Sequence, residues 1–229
     1  MEHRFIIPNY CILCAFIFIF FTGCVKKDEI ITEFFISPQT AQIGAGDSIL
    51  LTININKNPQ WSSSNEFVGE INENGLFIAL RVGKTKIKAE YLDFSDEIEI
   101  VVLPKASDVT EPLLIFGENQ EKIKELESRT LVREIPGILT YAEDSPFVKQ
   151  VIYIFNRRKY QYSIVHFKDL TKLQIEHLLM FYNEHYEFLG SRNNDLYFTD
   201  QKRNVLVAIS DNENPSARYT VYEEVNTKK

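Results

Sequence analysis

The chain contains few cysteines and histidines, the residue types that form disulfides and bind most transition metals. Its 229 residues include three cysteines, two methionines, one tryptophan and four histidines. All three cysteines precede residue 25, which excludes a disulfide-stabilised scaffold in the rest of the chain. Lys and Arg number 25 against 32 for Asp and Glu, a net charge of −7. This lack of basic surplus argues against a nucleic acid as partner. Hydrophobic residues make up 45%, which predicts a globular chain.

The N-terminus has the pattern of a secretory signal. Arg4 precedes an apolar stretch whose unbroken part, residues 10–21, is about 12 residues long. A helix that spans a bilayer needs roughly 20 apolar residues, so the stretch is too short for a stable span. The pattern therefore predicts a signal peptide over residues 1–23.

A cysteine directly follows this signal. The sequence Phe21-Thr22-Gly23-Cys24 resembles the lipobox of bacterial lipoproteins, although Phe21 stands where an aliphatic residue is usual. The resemblance implies that Cys24 is lipidated, that residues 1–23 are removed, and that several acyl chains hold the protein on a membrane. The alternative is an ordinary signal peptide with an incidental cysteine.

Residues 24–29 are interpreted as a lipidated tether. Within them, Lys27, Asp28 and Glu29 resemble the surface-export signal of Bacteroidetes lipoproteins. That resemblance implies an outer-membrane protein that faces the cell exterior; the alternative is a solvated tether with charges of both signs. Ser48 lies in Asp47-Ser48-Ile49, which resembles a short O-glycosylation motif of Bacteroidetes secreted proteins, but Asp-Ser is also ordinary turn chemistry.

The segment 30–103 has the pattern of an all-β sandwich. Apolar residues alternate with polar ones over 48–56, 84–91 and 97–103. Such alternation predicts half-buried strands, and turn signals containing glycine, asparagine or proline separate them. Several short strands at this spacing favour two packed sheets.

Three linked motifs in this segment point to a family. Trp61-Ser62-Ser63-Ser64-Asn65, Asn74-Gly75-Leu76 and the Gly83–Ala89 strand resemble the bacterial immunoglobulin-like domain of group 2. The resemblance implies an Ig-like sandwich over 30–103 with a spacer or adhesive role. Trp61 is expected to fill the space between the sheets. The Gly83-Lys84-Thr85 sequence lacks the glycine-rich cradle of a nucleotide-binding P-loop, which excludes nucleotide binding there.

A polar segment bounded by prolines, 104–112, is interpreted as a linker to an α+β domain over 113–229. Helices are predicted at 118–128 and 170–189. Six strands are predicted at 138–142, 150–155, 160–167, 196–199, 205–210 and 218–224. This order predicts a duplicated α-β-β-β unit that forms one antiparallel sheet of about six strands with helices on one face. The order of elements resembles that of β-lactamase-inhibitor-protein-like domains.

The sequence contains no recognisable catalytic, cofactor-binding or metal-binding motif. His177 and His185 are eight residues apart, whereas a helical metal pair needs a spacing of three or four. No Gly-x-Ser-x-Gly elbow is present. The acidic loops 193–195 and 211–214 lack the glycine and spacing of an EF-hand, so ordinary turns are favoured over calcium binding. We therefore predict no catalytic residue, no metal ligand and no cofactor.

Two further features leave alternatives open. The basic tip Arg157-Arg158-Lys159 is interpreted as a hairpin turn, and the alternative is contact with an anionic glycan or lipid headgroup. Nine of the eleven tyrosines lie in 113–229, where half-buried strand faces are favoured over a sugar-stacking platform.

The sequence as a whole favours a non-catalytic, lipid-anchored cell-envelope protein. Its expected role is adhesion, or interaction with an unidentified protein or glycan, at the outer-membrane surface. The alternative is an accessory enzyme or enzyme inhibitor that acts through the C-terminal domain, and a third possibility is a spacer without a ligand. A deep apolar pocket with converging polar groups would favour the enzyme, whereas a broad sheet face studded with exposed tyrosines would favour protein or glycan binding.

Overall fold

The computed structural model describes residues 33–210 and 219–225. These residues form a predominantly β-sheet structure with two α-helices, which confirms the expectation of a β-rich fold. No helix in these residues is long and apolar enough to cross a membrane. Cys24, Lys27, Asp28 and Glu29 lie outside the described residues.

Nine strands lie between residues 36 and 103, in three small sheets. The strands are β1 (Ile36–Ser37), β2 (Ala41–Gly44), β3 (Ser48–Leu50), β4 (Thr52–Ile53), β5 (Gln60–Ser63), β6 (Gly69–Ile71), β7 (Leu76–Ala79), β8 (Gly83–Tyr91) and β9 (Phe94–Leu103). The orders are β2-β9-β8-β5, β3-β7-β6 and β1-β4. The β2–β9 pair is parallel and the other pairs are antiparallel.

The alternation that predicts these strands also separates their two faces. On β8, Ile87 and Ala89 are fully buried, while Lys84 and Lys86 on the other face pair with glutamates of β9. Phe77 of β7 lies in the same core although it belongs to a different sheet. The four-stranded and three-stranded sheets therefore pack face to face around one apolar core.

The second half of the chain forms one eight-stranded antiparallel sheet. Its elements are α1 (Gln120–Leu126), β10 (Thr130–Ile135), β11 (Ile138–Ala142), β12 (Val148–Asn156), β13 (Lys159–Phe167), α2 (Lys172–His185), β14 (Glu187–Arg192), β15 (Asp195–Thr199), β16 (Val205–Ser210) and β17 (Tyr219–Glu224). The strand order is β10-β11-β12-β13-β17-β16-β15-β14. Each half is a helix followed by four strands, and the two halves join where β13 pairs with β17.

The expectation of six strands and a repeated α-β-β-β unit was wrong, because each half carries one more strand. The additional strands, β10 and β14, are the two edges of the sheet. Most of their residues are exposed, so they lack the burial-driven alternation that identifies the inner strands. Residues 187–189, expected in the second helix, belong to β14, because the chain is already extended at Tyr186.

The two halves are arranged symmetrically about the centre of the sheet. In the central pairing of β13 with β17, Ser163 pairs with Tyr222 and Val165 with Thr220, on either side of the Ile164–Val221 pair. Each edge strand also has a β-bulge directly after its second residue. Bulges at both edges discourage pairing with further strands, so the edges are poor docking sites.

Both helices pack against the same face of this sheet. Ile123 of α1 and Leu178, Phe181 and Tyr182 of α2 are buried in one core with strand residues such as Tyr222. Asn119 caps α1 through its side chain, and α2 begins with a capping box, which satisfies backbone N–H groups at both helix starts.

The segment expected to be a linker is held against the second half. Ala106 within it is fully buried in the core that contains α2. Glu184 accepts hydrogen bonds from the backbone N–H groups of Lys105 and Ala106, at 3.0 and 3.1 Å. Val82 donates its backbone N–H to the Glu184 carbonyl at 2.8 Å, and Arg81 donates from Nε to the Tyr186 carbonyl at 3.0 Å. These bonds connect the end of α2 to the nine-stranded part of the chain.

Candidate interaction surface

The face of the eight-stranded sheet opposite the helices is open. Both helices belong to the buried core on the other side of the sheet. Alternation on the four central strands places every second side chain on this face, where most are only partly buried. The apolar side chains at its centre are those of Ile152, Ile154, Ile164, Leu206, Ala208 and Val221. We call this surface the open face.

The strand register joins these side chains into continuous rows. Ile152 pairs with Ile164, Ile164 with Val221, and Val221 with Ala208. Ala208 in turn pairs with Tyr197 on the next strand. Because neighbouring strands lie about 4.8 Å apart, this row alone runs across about 19 Å of apolar surface.

Polar groups surround the apolar centre. Gln150 pairs with His166, and His166 with Tyr219, in a neighbouring row. The His166 and Tyr219 rings stack with centroids 6.1 Å apart. Burial, together with the nearby Lys149 charge, lowers the pKa of His166, which favours its neutral form at pH 7. An apolar centre with a polar rim is the usual anatomy of a protein-binding surface.

The nine tyrosines of residues 113–229 lie on both sides of the eight-stranded sheet. Six are buried or partly buried on the helix side, and the hydroxyls of Tyr182 and Tyr222 are hydrogen-bonded there at 2.8 Å. Burial raises the pKa of both phenols. Three others, Tyr162, Tyr197 and Tyr219, lie on the open face. Most tyrosines of this domain therefore complete its core, and three contribute to the exposed surface.

An ion-pair network that the sequence did not reveal lies on the helix side of the sheet. Arg129 pairs with Glu127 at 2.9 Å and with Glu143, and Nη2 donates to the Glu111 carbonyl at 2.8 Å. The Tyr153 hydroxyl donates to Glu127. Burial alone would lower the pKa of Arg129, but its bonds to Glu143 and Glu127 raise it. Nothing in the spacing of these residues signals the network, because the sheet brings them together.

Glu111 is another partly buried carboxylate, close to the end of α2. The Tyr186 hydroxyl donates to its Oε1. Burial raises the pKa of Glu111, against the opposing effects of the Tyr186 bond and the nearby His185. An acid whose pKa is higher in the folded state binds more protons when folded, so the free energy of unfolding falls as pH rises through that range.

A Glu111→Gln variant is therefore expected to be more stable than the parent at pH 7, and less sensitive to pH above the ordinary carboxyl value of 4.5. The amide oxygen still accepts the Tyr186 bond, while the ionised form that burial disfavours is removed. Urea unfolding between about pH 4.5 and 8 measures the effect. Exposed Glu118 provides the matched Glu118→Gln control, and equal pH slopes in parent and Glu111→Gln would refute the expectation.

The histidines of α2 are packed rather than paired. His177 stacks on Phe147 with centroids 5.3 Å apart, and His185 stacks on Phe181 at 4.2 Å. The His185 Nδ1 lies 2.8 Å from the Phe181 carbonyl oxygen. Within the described part of the chain, no three His, Cys, Asp or Glu side chains are grouped as metal ligands.

The remaining sequence features lie in turns or at strand ends. Ser48 is the first residue of β3 and is exposed. Arg157 and Arg158 form the two-residue turn between β12 and β13, with positive φ values of 49° and 66°. Asn193 and Asn194 form the corresponding turn between β14 and β15. Residues 211–214 lie outside the described residues.

Comparison with known proteins adds little to this description. No family model and no curated protein matches the chain. Among solved structures, the chain is similar to domains 5–6 of the S-layer protein SbsC, with a TM-score of 0.26 and 10% identity over 85% of this chain and 84% of that one. Domains 4–9 of SbsC give a TM-score of 0.28 and 9% identity, over 86% of this chain and 27% of that chain.

Proposed function

We propose that this chain is a non-catalytic interaction protein of the cell envelope, lipid-anchored through Cys24 at the outer membrane and exposed to the cell exterior. The lipobox-like sequence and Lys27-Asp28-Glu29 support the location. The motifs around Trp61 support an immunoglobulin-like domain of group 2 over 30–103. In this proposal, that domain is a spacer that carries the α+β domain of residues 113–229.

The partner binds the open face of the eight-stranded sheet and is a protein. The single observation that carries this assignment is the uninterrupted apolar row from Ile152 through Ile164 and Val221 to Ala208, whose side chains are only partly buried within the described residues. Monomeric proteins rarely leave a wide, contiguous apolar surface in water unless another molecule covers it.

The dimensions fit a protein better than a small molecule. Eight strands at about 4.8 Å spacing and five residues at about 3.3 Å give roughly 34 by 17 Å. This area, with its polar rim, is of the same order as the ~800 Å² that each partner contributes to a standard protein interface. Small ligands instead bind in concave sites that enclose most of their surface.

Charged substitutions at the centre of the open face test the proposal. An Ile164→Lys, Leu206→Lys double variant is expected to lose at least about 90% of crosslinked partner on intact cells, because two charges would be desolvated on binding. The matched control is Leu173→Lys, since Leu173 lies on α2 and is 75% exposed. The assay compares, by mass spectrometry, proteins crosslinked to tagged parent and variants.

The outcome is interpretable because both variants are compared with the parent. A partner retained by Leu173→Lys and lost from the open-face variant supports the proposal, provided that circular dichroism shows both variants folded. A partner captured equally by all three proteins, or lost only from the α2 variant, would exclude the open face as its binding surface.

A further inference from the structure

A concave site lies in the nine-stranded part of the chain and includes no residue of the eight-stranded sheet. It is a cleft of about 1110 Å³ between the loop 54–59 and the turn 72–75. Leu51, Ile53 and Ile71 contribute apolar lining, and Trp61 forms part of the wall. We call this site the Trp61 cleft. Its volume is slightly above the roughly 300–1,000 Å³ of typical small-ligand sites, so it has room for a ligand of several rings.

Trp61 is held in place and remains partly exposed. Its backbone pairs with Ala89 across β5 and β8. A Cβ at Gly75 would lie 3.1 Å from Cζ2 of the indole, so the indole packs closely on the glycine turn. The indole Nε1 donates no hydrogen bond within the described residues and is not sealed from solvent. Within the part of the chain that the structure describes, the cleft thus presents a closely packed aromatic ring with a free N–H donor.

Polar side chains that make no hydrogen bond within the described residues surround this ring. Asn58, Gln60 and Asn74 line the cleft and are exposed, and their amides have no hydrogen-bond partner within the described residues. The turn that carries Asn74 is fixed by Asn72, whose Oδ1 accepts from the N–H groups of Asn74 and Leu76 at 2.9 and 3.1 Å. Amides offer both donors and acceptors, so the rim can satisfy a ligand of mixed polarity.

The charge of the cleft is nearly balanced. Lys57 and Glu73 are exposed in its lining, and Glu90 is already paired with Lys88 at 2.6 Å. A phosphorylated or sulfated ligand would require a cluster of cations, which the lining does not provide. A purely apolar chain would leave the amides of the rim without partners on burial.

We propose that the Trp61 cleft binds a neutral saccharide. The C–H face of a sugar ring stacks on the indole, and the ring hydroxyls exchange hydrogen bonds with Nε1 and with the amides of Asn58, Gln60 and Asn74. An amphipathic ring with one apolar face and many hydroxyls matches an aromatic platform bordered by amides. This inference is independent of the partner proposed for the open face.

The only tryptophan of the chain lies in the cleft, so intrinsic tryptophan fluorescence reports on this site directly. The full chain, in a zwitterionic detergent without a sugar headgroup, is titrated with cellotetraose, xylotetraose, mannotetraose and chitotetraose. Each is taken to about 10 mM, where a ligand with a Kd of ~1 mM is about nine-tenths bound. We expect a saturable change in emission with at least one of the four.

Variants locate the binding. Gln60→Ala with Asn74→Ala is expected to weaken binding about tenfold, through the loss of two hydrogen-bonding side chains. Trp61→Phe, followed by calorimetry, is expected to weaken it by a similar factor. The matched control is Gln42→Ala, an exposed glutamine on β2 outside the cleft, which should bind as the parent does. Thermal unfolding by circular dichroism verifies that each variant is folded.

Two results would overturn the saccharide site. The first is an unchanged emission spectrum with all four oligosaccharides. The second is binding of equal strength in the parent and in the Gln60→Ala, Asn74→Ala variant, which would place the sugar elsewhere. Neither result bears on the open face, whose test uses different residues and a different readout.

Discussion

Replacement of Cys24 by alanine is expected to move the protein from the membrane fraction into the soluble fraction. The thiol of Cys24 is the attachment point in the proposed lipoprotein, and no thiol remains in the chain after it. Several acyl chains give stable membrane attachment, whereas a single chain gives only marginal, reversible attachment. Loss of all the chains should therefore abolish attachment, as measured by fractionation and by incorporation of a labelled fatty acid.

The chain supplies its own control for this experiment. Cys14→Ala changes a cysteine that the proposal places in the removed signal, and it should leave both labelling and attachment unchanged. Labelled Cys24→Ala protein that remains on the membrane would disprove the anchor. Protease treatment of intact cells then tests orientation: substitution of Lys27, Asp28 and Glu29 by alanine should protect the protein from cleavage, while an exterior location predicts that the parent is cleaved.

Replacement of Arg129 by methionine is expected to lower the free energy of unfolding by about 3–5 kcal/mol. Arg129 is the shared partner of Glu127 and Glu143, whose side chains are 2% and 13% exposed. Without the guanidinium, both carboxylates would stay buried and would lose the cation that they share. Since whole domains are stable by only about 5–15 kcal/mol, urea unfolding should show a large shift of the midpoint.

The controls for this prediction separate buried from exposed pairing. Arg203 bridges Glu187 at 3.3 Å, but its side chain is 69% exposed, so Arg203→Met should change stability by at most about 1 kcal/mol. Adding Glu127→Gln and Glu143→Gln to Arg129→Met should recover part of the lost free energy of unfolding, because the two buried negative charges are then removed. Equal effects at Arg129 and Arg203 would contradict the structural assignment.

The two edge strands of the large sheet could not be predicted from alternation in the sequence. The inner strands β11 and β16 lie where alternation predicts them, at Ile138–Ala142 and Val205–Ser210. β10 and β14 were missed because an edge strand buries little of either face. The pattern of buried residues is the only periodic signal a strand carries, so its absence in an exposed strand is expected.

The two candidate binding surfaces could be located only from the structure, whereas most strands could be located from the sequence. Alternation showed that residues such as Ile152 and Ile164 share a face of their strands, but it could not show which face the helices cover. Both faces of the central strands are apolar, so they are indistinguishable by composition. Trp61 was expected to fill the sandwich interior, and it packs against that core. Its position in a cleft wall became visible only once the structure placed the loop 54–59 and the turn 72–75 beside it.

The sequence alone determined the local features of this protein: the lipobox-like pattern at Cys24 on which the proposed anchor rests, the β-rich composition of the fold, and the positions of most inner strands and both helices. Each depends on residues that are neighbours along the chain. The tertiary structure decided the order of the eight strands, which face remains open, and the meeting of Glu111, Glu127, Arg129 and Glu143. These features arise from contacts between distant segments, and strand register and packing, which no local pattern encodes, determine those contacts.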